Sequence, residues 1–383
     1  MKILYVSHYA TLGGANIELA AVCVEMKKKG NDVVVAFPSE GSACQYFTER
    51  KIPYIIVPYR RWICDVDFSL KRRVLLTVKT YFNNVKYGKV LSRYIKDNDI
   101  EIVHTNDTLT VVGAYAAADV KIPHVWHLRE LLDEDYQINF LYSNRYVSKW
   151  FSKAQRIIAI SKTVLDKYRH LLVKENYSIV SDGIDLSQYQ EIEPYKKIEK
   201  DCFCILYTGG TSEKKGFSDV LYISNELKKR SFKFRVIITG DCTTIDAYSK
   251  MIDELGIGSQ LEVRGFVKDL NSLRAMCDLF IMPSVKEAFG LVTVEAMLAN
   301  LIVLGRDSGG TSEIIQDSIN GFLYRELDYA QAADKIIAIS NMDSEKLDKL
   351  KKCAKNNAIV EYNIKNTVEK LEKIYMEEFD EQH

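Results

Sequence analysis

The sequence predicts an α/β protein of two doubly wound, parallel-sheet domains, and three observations carry that expectation. Short runs rich in Val and Ile alternate with amphipathic stretches along all 383 residues. The apolar runs are near-continuous rather than alternating, the pattern of strands buried on both faces. The length suits two domains of ordinary size better than one, each large enough to bury its own core.

In the first half, strands are expected at 3–7, 33–37, 54–57, 102–104, 125–127 and 157–160. In the second they fall at 205–207, 235–239, 262–265, 279–282 and 301–304. Helical periodicity occupies, among others, 17–28, 218–229, 247–255 and 292–299. The stretch 188–200 is polar and charged, carries Pro194 and has no apolar period, so the domain boundary is expected there. The expected domains are 1–190 and 191–362, followed by a C-terminal segment, 363–383. That segment reads as one helix with an acidic end, packing on the second domain or back on the first.

Composition removes several function classes. Lys+Arg and Asp+Glu balance at 52 each, which argues against a nucleic-acid binder. The eight cysteines form no Cys-x-x-Cys pair and read as buried thiols in a reducing compartment, not as a zinc or disulfide framework. The N-terminus is a short strand leading to His8, without a signal-peptide core. No apolar window reaches the roughly 18 residues that suggest a membrane span, so a cytoplasmic protein is expected.

The most informative segment is Lys286-Glu287-Ala288-Phe289-Gly290-Leu291-Val292-Thr293-Val294-Glu295. It follows the strand expected at 279–282. Glu287 falls in the loop and Glu295 one to two turns into the helix. Gly290 lets backbone approach a ligand closely, and the amides of Phe289, Gly290 and Leu291 open a helix whose dipole favours negative charge. Carboxylates on either side of an anion site suit a ligand with phosphates in its middle and hydroxyls at both ends, such as a nucleotide sugar. On the residues alone, a solvated Glu295 and a Glu287 that merely assists the helix dipole fit equally well.

Gly-Gly-Thr-Ser-Glu occurs twice, at 209–213 and 309–313, each copy between a strand and a helix. Such turns offer free amides to an anion, or are simply capped turns. In the first half, Gly13-Gly14 follows the first strand, and Trp126-His127-Leu128-Arg129-Glu130 ends another, where parallel sheets bind ligands. Arg129 and Glu130 there either orient a ligand or pair with each other. His104 and His8 are further strand-end histidines. Asp65-Val66-Asp67 and Asp133-Glu134-Asp135 have metal-motif spacing but lack a buried strand beside a nucleotide pocket, so no required metal is expected.

Taken in order, these motifs resemble family 4 of the retaining glycosyltransferases. The glutamate pair Glu287 and Glu295 matches its glutamate–seven residues–glutamate motif. Gly13-Gly14-Ala15, Ile160-Ser161, Asp182-Gly183-Ile184-Asp185, Gly209 through Lys215-Gly216, Gly265-Phe266-Val267, Gly309-Gly310 and Gly321-Phe322 match along nearly the whole chain.

The resemblance implies a GT-B fold, with two Rossmann-like domains facing across a cleft. It implies a retaining transfer of sugar from a nucleotide-diphosphate donor to a hydroxyl of a glycan or lipid-linked glycan, in cell-surface polysaccharide synthesis. Other readings on the same architecture are a nucleotide-sugar epimerase or hydrolase, or a non-catalytic sugar-nucleotide binder.

The implied catalytic residues are His127, Lys215 and Glu287. His127 would touch the transferred sugar, Lys215 would offset the departing diphosphate, and Glu287 would hold sugar hydroxyls. Glu295 would hold the ribose. The implied donor site further includes Gly14, Gly209, Gly210, Phe266, Val267, Ala288, Phe289, Gly290 and Leu291. The implied acceptor site holds Gly13, His127 and Arg129. Phe266 either packs on the base or is ordinary core.

Two departures stand out. Gly210 occupies the place of the family's arginine, so Lys214, Arg264 or Arg306 must substitute or the diphosphate site is weakened. Asn16 stands where the family often has an acid. Finally, residues 60–96 are basic with interleaved aromatics. They form a solvated helical face, or, since related enzymes build glycans on lipid carriers, a peripheral contact with the anionic inner face of the membrane.

Overall fold

The computed structural model describes residues 1–189 and 202–380. The chain divides into two compact units, Met1–Asp185 with Ile364–His383, and Leu186–Asn363. The boundary expected within 188–200 falls almost wholly outside the described residues.

In the first unit the strands are β1 (Lys2–Val6), β2 (Asp32–Phe37), β3 (Tyr54–Ile56), β4 (Ile63–Asp65), β5 (Ile102–Thr105), β6 (His124–Leu128), β7 (Ile138–Phe140), β8 (Arg156–Ala159) and β9 (Tyr177–Ile179). Seven of them make one parallel sheet, ordered β3-β2-β1-β5-β6-β8-β9, while β4 and β7 form a small antiparallel ribbon. The run Ile3-Leu4-Tyr5-Val6 is apolar throughout because each face of the sheet has its own core. Ile3 and Tyr5 pack with Leu19, Met26 and Phe37, and Leu4 and Val6 pack with Leu91, Ile95 and Val112. Each such side chain, fully buried, contributes about 1.5–3 kcal/mol.

The basic, aromatic segment contains a 28-residue helix, Leu70–Asp97, started by Ser69, whose hydroxyl accepts from the Arg72 amide. Its buried positions include Thr80, Asn84, Gly88 and Ser92, so it carries little apolar period. At Gly88 a Cβ would come within 2.9 Å of Tyr115, and the close packing of this helix on the helix Val112–Val120 depends on that gap.

The C-terminal helix, Ile364–Asp380, belongs to the first unit. Val368, Leu371 and Tyr375 enter the core beside Tyr5. The Tyr375 hydroxyl lies 2.6 Å from His104 Nδ1, and Glu378 accepts from Arg156 at 2.7 Å.

The second unit has β10 (Phe203–Tyr207), β11 (Phe234–Thr239), β12 (Leu261–Gly265), β13 (Leu279–Met282), β14 (Ile302–Arg306) and β15 (Phe322–Tyr324). All are parallel in the order β12-β11-β10-β13-β14-β15. Strand order reverses between β1 and β5 in the first sheet and between β10 and β13 in the second. At such points the loops leave in opposite directions and open a crevice at the carboxyl ends of the strands.

A buried ionic cluster fastens the carboxyl end of the first sheet. Arg129, just after β6, donates to both oxygens of Asp182 at 2.7 and 2.6 Å, and to Glu18 of the helix Gly14–Lys28 at 3.2 Å. All three are buried. One guanidinium cannot balance two carboxylates away from water, so one of them keeps its proton. Asp182 holds the bidentate bond. Glu18 is pushed up to about 8, by burial first and by the Asp182 charge next, with Arg129 pulling the other way. Of the two readings of Arg129 and Glu130, mutual pairing is not what forms. The Arg129 guanidinium bonds Glu18 and Asp182, and Glu130 accepts from the Thr108 amide at 2.8 Å instead.

The folded Glu18 binds a proton more tightly than an ordinary glutamate, so its contribution to stability declines as pH rises from about 4.5 to about 8. We predict that Glu18→Gln removes that decline: between pH 5 and pH 8 the variant loses less melting temperature than the wild type. Asp182→Asn should instead cost about 3–5 kcal/mol in denaturant unfolding at neutral pH, because it strips a buried cation of its principal partner.

Candidate active site

In the second unit β10 and β13 are adjacent, with Ile205 opposite Leu279 and Leu206 opposite Phe280. The loops after them frame a cavity of about 160 Å³, lined by Tyr207, Thr208, Gly209, Lys215, Ser284, Glu287, Gly290, Leu291 and neighbours.

The loop after β10 is shaped by two glycines. A Cβ at Gly209 would lie 2.1 Å from the Tyr207 hydroxyl. That hydroxyl donates to the Lys215 carbonyl at 3.0 Å and so holds the far end of the loop. Gly210 has φ +61, donates its amide to Thr239 at 2.8 Å, and has no room for a side chain, since a Cβ would sit 2.2 Å from the Asp241 carbonyl oxygen. The arginine of the family pattern is therefore excluded by backbone conformation and by space.

Of the proposed substitutes, Arg306 is buried against Asp219 and Glu326, and Arg264 is bonded to Glu262 at 2.6 Å. The Lys214 ammonium is shielded from water and has no hydrogen-bond partner among the described residues.

The loop after β13 presents Glu287. Its side chain is largely buried, and one oxygen accepts from Lys215 Nζ at 2.7 Å and from the Ser284 hydroxyl at 2.6 Å. Its backbone is clamped from below: the Gly310 amide donates to the Glu287 carbonyl at 2.8 Å. Gly309, at φ +55, approaches so closely that a Cβ would lie 2.6 Å from that same oxygen. The two Gly-Gly-Thr-Ser-Glu copies thus do different work. The first is a turn beside the cavity, and the second supports the glutamate loop.

Gly290, at φ +104, precedes the helix Leu291–Leu298 and turns the chain into it. Ala288 is half-buried, and the Phe289 ring is core, edge-on to Tyr362, which leaves the backbone of this segment beside the cavity.

Glu295 is not simply solvated. It forms an ion pair with buried Arg274, whose other nitrogen holds Asn271 at 2.9 Å. It lies outside the lining of the cavity. Phe266 is 90 % exposed, which removes the ordinary-core alternative. It borders a separate depression of about 490 Å³ together with Gly240, Asp241, Cys242, Thr243 and Gly265. Val267 beside it is half-buried.

The remaining expected residues belong to the first unit. His127 is fully buried and held neutral, its pKa well below the usual histidine range because of burial first and the Arg129 charge next. Its Nε2 has no hydrogen-bond partner among the described residues. His104 is likewise neutral, pushed down to about 3 by burial. Gly13 caps the helix Gly14–Lys28 in extended conformation, with the Tyr9 hydroxyl where a Cβ would go, whereas a Cβ at Gly14 would meet open space. Asn16 closes this loop, donating to Thr11 at 2.8 Å and accepting from Ser7 at 2.9 Å. His8 lies 3.6 Å from buried Asp107.

The structure therefore brings Gly209, Lys215, Glu287, Gly290 and Leu291 to one cavity. Sequence reasoning missed Tyr207 and Ser284, which position Lys215 and Glu287, and Arg274, which holds Glu295. Only the repeated glycine pair hinted at the support beneath Glu287.

Two family models match the chain in succession: the one described as Glycosyltransferase Family 4 over residues 12–188, and the one described as Glycosyl transferases group 1 over residues 188–357. Among curated relatives, the putative glycosyltransferase EpsD of Bacillus subtilis is 24 % identical over 40 % of this chain and 42 % of its own length. The alpha-monoglucosyldiacylglycerol synthase of Acholeplasma laidlawii is 23 % identical over 72 % of each chain. The chain thus spans less than half of the first relative and nearly three quarters of the second. Among solved structures, Anabaena Alr3699/HepE in complex with UDP superposes with a TM-score of 0.78 at 19 % identity, covering 98 % of this chain and 100 % of that one. The sucrose-phosphate synthase of Thermosynechococcus elongatus superposes at 0.73 and 15 %, covering 99 % of each. With the two family models together spanning residues 12–357 and two parallel-sheet units of this topology, the chain belongs to glycosyltransferase family 4 and has the GT-B fold.

Proposed function

We propose that the chain transfers a sugar, with retention of anomeric configuration, from a nucleotide-diphosphate donor to a hydroxyl of a glycan or lipid-linked glycan, in the cytoplasm and in the service of cell-surface polysaccharide synthesis. The observation that carries this is the Lys215–Glu287 pair at the strand-order reversal of the second sheet, beside the start of the helix Leu291–Leu298. It puts an ammonium, a carboxylate and helix amides at one crevice, matching the diphosphate and sugar hydroxyls of such a donor. That the similar Anabaena protein is solved with UDP-glucose supports a uridine diphosphate sugar.

In this reading Glu287 accepts from hydroxyls of the donor sugar, Glu295 holds the ribose, and Phe266 with Val267 takes the base. Gly209, Gly210, Ala288, Phe289, Gly290 and Leu291 offer backbone to the donor. Gly14 also serves the donor, Gly13, His127 and Arg129 serve the acceptor, and His127 touches the transferred sugar. The acceptor oxygen bonds to the anomeric carbon as the carbon–phosphate-oxygen bond breaks, the electron pair leaves with the diphosphate, and the acceptor proton passes to a diphosphate oxygen. Glu287, with one oxygen held by Lys215 and Ser284, is assigned no covalent intermediate. Lys215 offsets the developing charge. Lys214 supplies the second cation in place of the absent arginine, and the two ammonium groups make a divalent metal unnecessary. Peripheral contact with an anionic membrane belongs to the same reading.

We predict that Lys215→Ala lowers kcat at least about a hundredfold, that Glu287→Ala does likewise, and that both keep the wild-type melting temperature within a few degrees. Product analysis with and without a glycan acceptor checks this. Turnover of the donor that is indifferent to the acceptor, or normal turnover in Glu287→Ala, would sink the assignment. A second prediction follows from Gly210. Gly210→Arg should weaken UDP binding in calorimetry rather than strengthen it, because the loop must unbend to admit a Cβ. Tighter binding in that variant would refute the steric argument.

A further inference from the structure

The helix Leu70–Asp97 is half embedded and half bare. Its fully buried residues begin only at Thr80. Before and around that point Leu70, Val74, Leu75, Val78 and Phe82 are exposed, Leu70 to 78 % and Phe82 to 67 %. At 100° per residue Leu75, Val78 and Phe82 fall on the side of the helix away from the packed residues, and Leu70 and Val74, in line with Gly88 and Ser92, extend the five-residue apolar surface ahead of the packed stretch. Their span along the axis is about 18 Å. A contiguous apolar strip of this kind on a surface marks a contact.

The charges around the strip say what it contacts. Between residues 70 and 96 there are eight Lys and Arg and no Asp or Glu. Lys71 sits within the apolar arc, and Arg72, Lys79 and Lys86 run along one edge of it, all exposed. Long basic side chains beside an apolar strip can lay their stems on hydrocarbon while their heads reach phosphate. Arg73 takes no part, since its guanidinium turns inward and donates to the Phe140 carbonyl at 2.8 Å. A second copy of this chain is a poor occupant, because apposing two such helices would bring like charges together.

We infer that this face of the helix is where the protein lies on an anionic lipid surface, with Leu75, Val78 and Phe82 in the headgroup–acyl boundary and Lys79 and Lys86 on lipid phosphates. The inference rests on the proposed lipid-linked acceptor for its biological sense and on the exposed strip for its physical one. It names the face through which a membrane-borne acceptor is reached.

The test is flotation of the full chain with phosphatidylcholine vesicles, with and without phosphatidylglycerol, alongside UDP binding by calorimetry. The wild type should float with the anionic vesicles and not the neutral ones. Leu75→Glu combined with Phe82→Glu should abolish flotation. Lys79→Ala combined with Lys86→Ala should weaken it roughly thirty-fold, and added salt should do the same to the wild type. All three proteins should bind UDP equally, since these positions are exposed and lie in the other unit from the candidate donor cavity.

Wild type that binds UDP but ignores anionic vesicles overturns this inference and leaves the donor assignment standing. Flotation without UDP binding does the reverse. Flotation unchanged in both variants, or a concentration-dependent dimer abolished by Leu75→Glu with Phe82→Glu and no flotation, also overturns it.

Discussion

The contact between the Glu287 carbonyl and the glycine pair Gly309-Gly310 is the constraint on which the candidate site depends. The glutamate loop has no regular structure of its own, and its carboxylate is held largely out of water. Such a group stays in place only if its backbone is fixed and its charge is met. The Gly310 amide does the first, and the Lys215 ammonium with the Ser284 hydroxyl does the second. Any side chain at position 309 or 310 would push the loop away, because a Cβ there would meet Glu287 or Phe289 backbone at 2.5–2.6 Å. The rest of the cavity, including Gly290 and the opening of the following helix, hangs from that short segment.

The same close backbone packing accounts for the missing arginine. Where the loop after β10 crosses Thr239 and Asp241, a left-handed backbone and a Cβ position 2.2 Å from the Asp241 carbonyl oxygen leave room for glycine only, so positive charge near the cavity must come from further along the loop. Lys214 and Lys215 stand there in succession, one with a shielded ammonium that has no hydrogen-bond partner among the described residues and one paired to Glu287. A pairing of Lys215 with Glu287 keeps both charges satisfied while no ligand is present. It can be exchanged for phosphate and hydroxyl contacts without leaving either charge bare.

Much of the fold was legible because parallel strands buried on both faces announce themselves as unbroken apolar runs, as β1, β11 and β13 do. The strands that escaped notice, β4, β7, β9 and β15, are three residues each, too short to carry a period. Residues 60–96 read as helical, but the bounds and the packed side of the helix Leu70–Asp97 were not legible, because its inward face is partly small and polar and its outward face partly apolar. In the site, Lys215, Glu287 and Gly290 were legible from their positions after strands. The ion partners of Arg129 were not legible, for a physical reason. A strand-end arginine looks free until its partners, Glu18 and Asp182, are brought to it from 111 and 53 residues away. Glu295 and Arg274 were joined in the same way, by tertiary proximity that local pattern does not encode.

The return of the C-terminal helix to the first unit sets an order of events in synthesis. Ile364, Val368, Leu371, Ile374 and Tyr375 complete a core whose other buried members lie within the first 180 residues. A nascent first unit therefore waits with that groove uncovered while Leu186–Asn363 is made, a delay of roughly 10–35 s at elongation rates of about 5–20 residues per second. The second unit, continuous in sequence, can fold meanwhile. The first unit therefore closes only after the second has been made.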